Sequence, residues 1–146
     1  MTHPTVRWRI IPRMHPYRRL SVWRKAHELT VRAYRVVQDF SPPHWPLAAQ
    51  LRRAAHSVAA NIAEGSGRVT NAQFANSLQV AIASARELDY WLLLARDLDA
   101  LTSNDHAMLE ARTDEVTRML VALRKTVVKR STRAGFTRKP KEAATP

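Results

Sequence analysis

The chain contains no cysteine, which excludes a disulfide framework and a thiolate zinc site and leaves nothing that requires an oxidising compartment. Long apolar runs are missing too: no stretch approaches the roughly 18 consecutive apolar residues of a membrane span. Near the N-terminus Arg7, Arg9 and Arg13 interrupt Trp8, Ile10 and Ile11, so the unbroken apolar region of a signal peptide is absent. The expectation is a cytoplasmic protein without membrane contact. No period-2 segment argues for strands. Gly65-Ser66-Gly67 is too short for a phosphate-cradling loop and follows a helical pattern instead of a strand. His3, His15, His27, His44, His56 and His106 never stand three or four residues from one another, so metal pairing on a helix face has no support. No nucleophile has an evident base nearby. These gaps point to a non-enzyme without a cofactor.

Positive charge is abundant. The formal net charge is +12 over 146 residues, and a basic protein gains affinity for nucleic acid by releasing counterions from phosphates. The excess is unevenly placed. Residues 1–20 and 128–146 together hold 11 of the 24 Lys/Arg and 1 of the 12 Asp/Glu, whereas the middle holds 13 against 11. The length suits one domain with a core, here residues 20–130. A basic extended arm (1–19), with Pro4, Pro12 and Pro16, precedes it, and a basic disordered tail (131–146) follows.

Four amphipathic segments fill the domain. Ser21 is a plausible N-cap for a first helix reaching about Phe40, with Trp23, Ala26, Thr30, Ala33, Tyr34 and Val37 on one face. Ser41-Pro42-Pro43 ends it, and Arg24, Glu28 and Arg32 suggest a solvated ion-pair ladder along its outside. Pro46 fits the first turn of a second helix with the stripe Leu47, Leu51, Ala54, Ala55, Val58 and Ile62, closed by Gly65 and Gly67, of which Gly65 fits a C-cap. Gln50, Ser57 and Asn61 make a polar seam at its edge, the one candidate for a polar pocket. Thr70 with Gln73 forms a capping-box start for a third helix carrying Phe74, Leu78, Ala81, Ala85, Leu88, Leu92 and Ala95. Thr102 or Ser103 can cap a fourth helix, with Leu109, Val116, Met119, Leu120, Leu123 and Val127 on its core face and an end near Arg130. Short connections make consecutive helices antiparallel, which predicts an all-α, up-down-up-down four-helix bundle.

The third helix has a second apolar strip, Val80, Trp91, Leu94 and Leu98, rotated roughly 100° from the first. A single core can hardly bury both strips. The spare one points to an oligomer interface, against the alternative of a monomer with a partly apolar face.

Leu20-Ser-Val-Trp-Arg-Lys-Ala-His-Glu-Leu29, the run Gln50-Leu-Arg-Arg-Ala-Ala-His-Ser-Val-Ala-Ala-Asn-Ile-Ala-Glu-Gly-Ser-Gly-Arg68, and Phe74 with Ser84-Ala-Arg-Glu-Leu88 resemble the bacterial four-helix-bundle family encoded in intervening sequences of 23S ribosomal RNA genes. The resemblance covers about residues 20–127. It implies a ring-like homopentamer. It also brings in the related accessory variability protein of diversity-generating retroelements, a basic bundle that binds nucleic acid and partners a reverse transcriptase. For most of the family no activity is established.

Two functions are therefore expected in parallel. One is a non-enzymatic oligomer that binds RNA or DNA by electrostatic contact, as an accessory to a reverse transcriptase, through Arg18, Arg19, Arg52, Arg53, Arg68, Lys125, Lys129, Arg130 and Arg133. The other is an oligomeric protein-interaction scaffold with no direct nucleic-acid role. In that second case Arg53 and Glu64 lie on neighbouring angles of the same helix and Arg52 points to solvent. Trp8 among its arginines offers stacking to a nucleic acid, or the arm simply confers solubility. Asn61 and Glu64 read as structural residues.

Overall fold

The first helix, α1 (Ser21–Val37), takes its direction from a 3-10 turn at Pro16–Arg19 in this computed structural model, which describes residues 16–68 and 70–136. Residues 16–19 are thus turned where an extended arm was expected; the rest of that arm lies outside the described residues. Leu20 N–H donates to Tyr17 O at 3.0 Å, and the Tyr17 ring meets Trp23 edge-on at 4.8 Å. Leu20, with extended backbone, is the N-cap, and Ser21 lies already inside the helix. The end of α1 also comes earlier than Phe40. Gln38, Asp39 and Phe40 N–H groups reach back only three residues, to Arg35, Val36 and Val37, so the last turn tightens ahead of the prolines. Phe40 is still buried, and its carbonyl accepts from Trp45 Nε1 at 3.1 Å.

A 3-10 turn at Pro42–His44 leads into α2 (Trp45–Ser66), with proline in its first turn as expected. Its end departs from expectation. Gly65 is buried within the helix and Gly67 forms the C-cap with ordinary right-handed backbone, φ −91°, so no left-handed cap is made. A Cβ on Gly65 would lie 2.5 Å from Ser77 Cβ. Gly65 is therefore required by the close approach of the next helix. That helix, α3 (Asn71–Asp97), starts where Thr70 Oγ1 accepts from Gln73 N–H at 3.2 Å.

The α3–α4 connection is a Schellman turn. Asp99 N–H donates to Arg96 O, Ala100 N–H to Ala95 O, and Asp99 takes φ 57°. α4 (Ser103–Phe136) is capped by Thr102, whose Oγ1 accepts from Asp105 N–H at 3.1 Å. α4 runs six residues past Arg130, so residues 131–136 belong to the helix and not to a disordered tail. Once a helix is anchored on the bundle, each further residue adds one hydrogen bond with no new nucleation cost. No proline or glycine interrupts 103–134. Residues 137–146 of the expected tail lie outside the described residues.

Contacts fix the helix directions. Arg53 meets Glu87, Ser57 meets Ser84 and Gly65 approaches Ser77, so α3 runs opposite to α2. Lys25 pairs with Glu115 at 2.7 Å and Glu28 with Arg112 at 3.6 Å, so α4 runs opposite to α1. These inter-helix pairs replace the ladder expected along α1. Each helix packs closely on two neighbours, in the closed order α1–α2–α3–α4, and the backbones of the diagonal pairs stay farther apart. The stripes meet in one core with Leu29, Leu51, Ile62, Leu88, Leu109 and Leu120 fully buried. Among the described residues there are no strands.

Candidate functional site

Antiparallel packing of α2 on α3 places two features far apart in sequence on one face. The polar seam of α2 and the second strip of α3 run side by side along it. At its centre Arg53 pairs with Glu87, and its Nη2 also donates to Gln50 Oε1 at 2.9 Å. Trp91 Nε1 donates to the same Glu87 Oε1 at 3.1 Å. The carboxylate thus holds a guanidinium on one side and an indole on the other. One turn along, Ser57 and Ser84 hydroxyls lie 2.9 Å apart, and Asn61 Nδ2 donates to Ser57 O at 2.7 Å. Ser84 is buried, and the hydroxyl pair satisfies both partners there. At the far end Glu64 pairs with Arg68. A shallow cavity of about 310 Å³ lies here, lined by Asn61, Glu64, Arg68, Gln73, Ser77 and Val80.

Two expectations about this face change. Arg53 does not pair with Glu64; Glu87 from the neighbouring helix takes that place, and Glu64 turns to Arg68. The second strip is also not uniformly spare. Trp91 and Leu94 are half-buried against the core, while Val80 and Leu98 are 50% and 48% exposed. Tyr90 and Leu93, which the strip did not include, are exposed as well. They lie one residue before Trp91 and Leu94 on the helix, so the exposed apolar surface turns outward from α2.

The nine basic residues nominated from sequence do not converge on one site. Arg18 and Arg19 sit on the exposed turn before α1, with the Arg18 guanidinium 5.8 Å from the Tyr17 ring centre. Arg52 is half-buried beside Val37, Gln38 and Trp45. Arg53 and Arg68 are already held by acids. Lys125, Lys129, Arg130 and Arg133 are exposed along the last turns of α4. Sequence reading passed over Arg118 and Arg124 on that helix. Together these six form a run, Val116–Phe136, that contains no acidic residue. The signal was legible, since the chain has no Asp or Glu between Glu115 and Glu142. Arg118 reaches back to an acid, Asp114 at 3.0 Å.

Elsewhere the chemistry is sparse. His27 stacks on Trp23 with ring centres 5.1 Å apart, His56 Nδ1 lies 2.9 Å from the Tyr34 hydroxyl, and buried His106 lies 3.6 Å from Glu110. No group of three or more potential metal ligands occurs among the described residues. Glu115 titrates below the ordinary glutamate range, chiefly because Lys25 hydrogen-bonds its carboxylate. No helix among the described residues is long and apolar enough to cross a membrane.

The family model for the 23S rRNA-intervening sequence protein matches residues 18–122. The chain belongs to this family. A solved structure similar to it is a protein with unknown function from the S23 ribosomal protein family of Bacteroides thetaiotaomicron VPI-5482. It is 25% identical, with a TM-score of 0.67 over 71% of this chain and 95% of that one. No curated protein matches the chain. The family region contains the whole α2–α3 face and stops short of Arg124, Lys125, Lys129, Arg130 and Arg133. The acid-free end of α4 thus lies largely beyond the matched residues.

Proposed function

We propose that the chain is a non-enzymatic, basic nucleic-acid-binding protein that works as a cytoplasmic oligomer. The observation that carries this reading is the acid-free half of α4. A rigid helix holding Lys125, Lys129, Arg130 and Arg133 exposed, with no carboxylate after Glu115 on the element, is an electrostatic footprint for a phosphate backbone. Such contacts position a polyanion without reading its sequence. In a ring-like homopentamer the same helix end would recur around the ring, so individually weak contacts would add through avidity. The finer form of the reading is an accessory factor for a reverse transcriptase in a diversity-generating retroelement.

The α2–α3 face supports a second reading, an oligomeric scaffold that docks proteins. Val80, Tyr90, Leu93 and Leu98 expose apolar surface there and next to it, the kind of patch that marks an interaction site. Fluorescence anisotropy of labelled RNA and DNA across a salt series separates the two. If the four exposed α4 cations each engage a phosphate, log K falls against log salt with a slope of about −3 to −4. Absence of binding at low salt refutes the nucleic-acid reading and leaves the scaffold.

A further inference from the structure

Between the first turns of α3 and the last turns of α4 lies an open groove of about 440 Å³. From α3 it is lined by Ala72 and Asn76, and from α4 by Arg124, Ser131 and Thr132. Arg124 is half-buried, and its Nε is shielded from solvent with no acceptor within hydrogen-bonding distance among the described residues. It has no acidic partner among them either. A shielded donor left unpaired is costly, and a guanidinium more so than a neutral group. Ala75 and Val128 add apolar surface to the groove, and its polar features favour negative charge. Its lining contains no carboxylate. Asn76 and Ser131 offer side-chain donors, and the first turn of α3 presents N–H groups with no acceptor inside the helix, at the positive end of its dipole. Ala72 and Gly135 add little bulk to the lining.

We propose that this groove is an anion site that takes a phosphate group of a nucleic-acid backbone, with Arg124 as its principal donor. The proposal rests on the nucleic-acid reading above and gives it a defined contact. The outer Nη groups of the Arg124 guanidinium suit two phosphate oxygens, while Lys125 and Lys129 on the exposed side of α4 follow the neighbouring phosphates. Free phosphate and backbone phosphate share this chemistry, and the test separates them.

The full chain is melted in sodium pyrophosphate and in chloride of equal ionic strength, and titrated with labelled single-stranded and duplex RNA. Wild type is compared with Arg124→Met, which keeps the packed stem and removes the donors. Arg35→Gln on exposed α1 is the charge control. Wild type and Arg35→Gln should gain Tm with pyrophosphate, as any ligand of the native state requires. Arg124→Met should show no such gain, an equal or higher Tm in chloride, an RNA affinity about tenfold weaker and a salt slope shallower by about 1. Should Arg124→Met fail to fold, Arg124→Gln, which removes the charge and keeps a polar side chain at the groove, replaces it with the same expectations. Retention of both the pyrophosphate response and the full salt slope by the variant overturns the site while leaving the nucleic-acid reading intact. A pyrophosphate response that depends on Arg124 in a protein that binds no RNA or DNA supports an anion site for free phosphate and removes the reading. A change in oligomer mass on Arg124→Met, seen by light scattering, overturns the proposal by making the groove a contact between copies.

Discussion

Gly65 is where α2 and α3 come closest, and Gly65→Ala tests that contact directly. An added Cβ would lie 2.5 Å from Ser77 Cβ, 2.9 Å from Phe74 Cδ2 and 3.1 Å from Ser77 Oγ, whereas carbon atoms in good contact sit about 3.5–4.0 Å apart. The Phe74 ring can swing aside. Ser77 Cβ is fixed to the α3 backbone, so relief requires the helix itself to move by roughly 1 Å. Overpacking of this kind costs about 1–3 kcal/mol, against which alanine regains about 0.5–1 kcal/mol of helix propensity. The net loss should be about 1–2 kcal/mol, or a fall in Tm of about 4–10 °C, read by circular dichroism at fixed protein concentration. Gly67→Ala is the control, because its nearest neighbour is Glu64 O at 3.6 Å and its φ is −91°; it should be neutral or mildly stabilising. Ser77→Gly removes the obstructing carbon, so the double variant should be less destabilised than the two single losses combined. If Gly65→Ala melts at or above Gly67→Ala, the close approach of the two helices is wrong.

Three further outcomes follow from particular residues. Asp99→Gly should raise stability by about 0.5–1 kcal/mol in urea denaturation, because φ 57° is strained for a residue with a Cβ and free for glycine. Glu115 has its carboxyl held below the ordinary glutamate range by Lys25, so its contribution is present above that range and fades as pH falls through the lowered value. Wild type should therefore exceed Glu115→Gln in Tm at neutral pH, with the difference closing in acid; a gap that widens on acidification would reverse the sign. Val80→Glu combined with Leu98→Glu places charge on the two exposed members of the α3 strip, and should lower the oligomer mass in light scattering without loss of helix signal. An unchanged mass would remove this strip from the proposed contact between copies.

The bundle was legible because burial imposes a 3.6-residue period that survives any uncertainty about helix ends. The stripes of α2 and α3, from Leu47 to Ile62 and from Leu78 to Ala95, are buried as their spacing requires. The ends were less so, since they depend on backbone geometry that leaves weak traces in composition. Asp99 occupies a position where glycine is the usual signal. Leu20 caps α1 without a side-chain bond, so the adjacent serine misled. Gly65 carried the opposite lesson. Its role is set by Ser77, twelve residues on and across an interface, and a single-helix reading turns such a glycine into a cap. The same blindness to neighbouring helices leaves only Glu64 on the same side of α2 in view of Arg53, whereas Glu87 of α3 is its partner.

That exchange of partners alters where the positive charge can act. On the α2–α3 face, the cations of the long family motif are engaged: Arg53 with Glu87, Arg68 with Glu64. A phosphate arriving there would have to displace a carboxylate, losing much of what it gained. Along α4 beyond Glu115 there is no carboxylate on the helix to displace. The extension of that helix to Phe136 also carries Arg133 on ordered backbone, so ordering it costs no conformational entropy at the moment of binding. The two halves of the surface are thereby suited to different work. The family face, with paired charges and exposed apolar residues, is suited to another protein surface, and the helix end outside the family match is suited to a polyanion. A reading that places nucleic acid on the family motif itself would require Glu87→Gln, which frees Arg53, to strengthen RNA binding by more than the loss of one negative charge elsewhere on the bundle, such as Asp105→Asn.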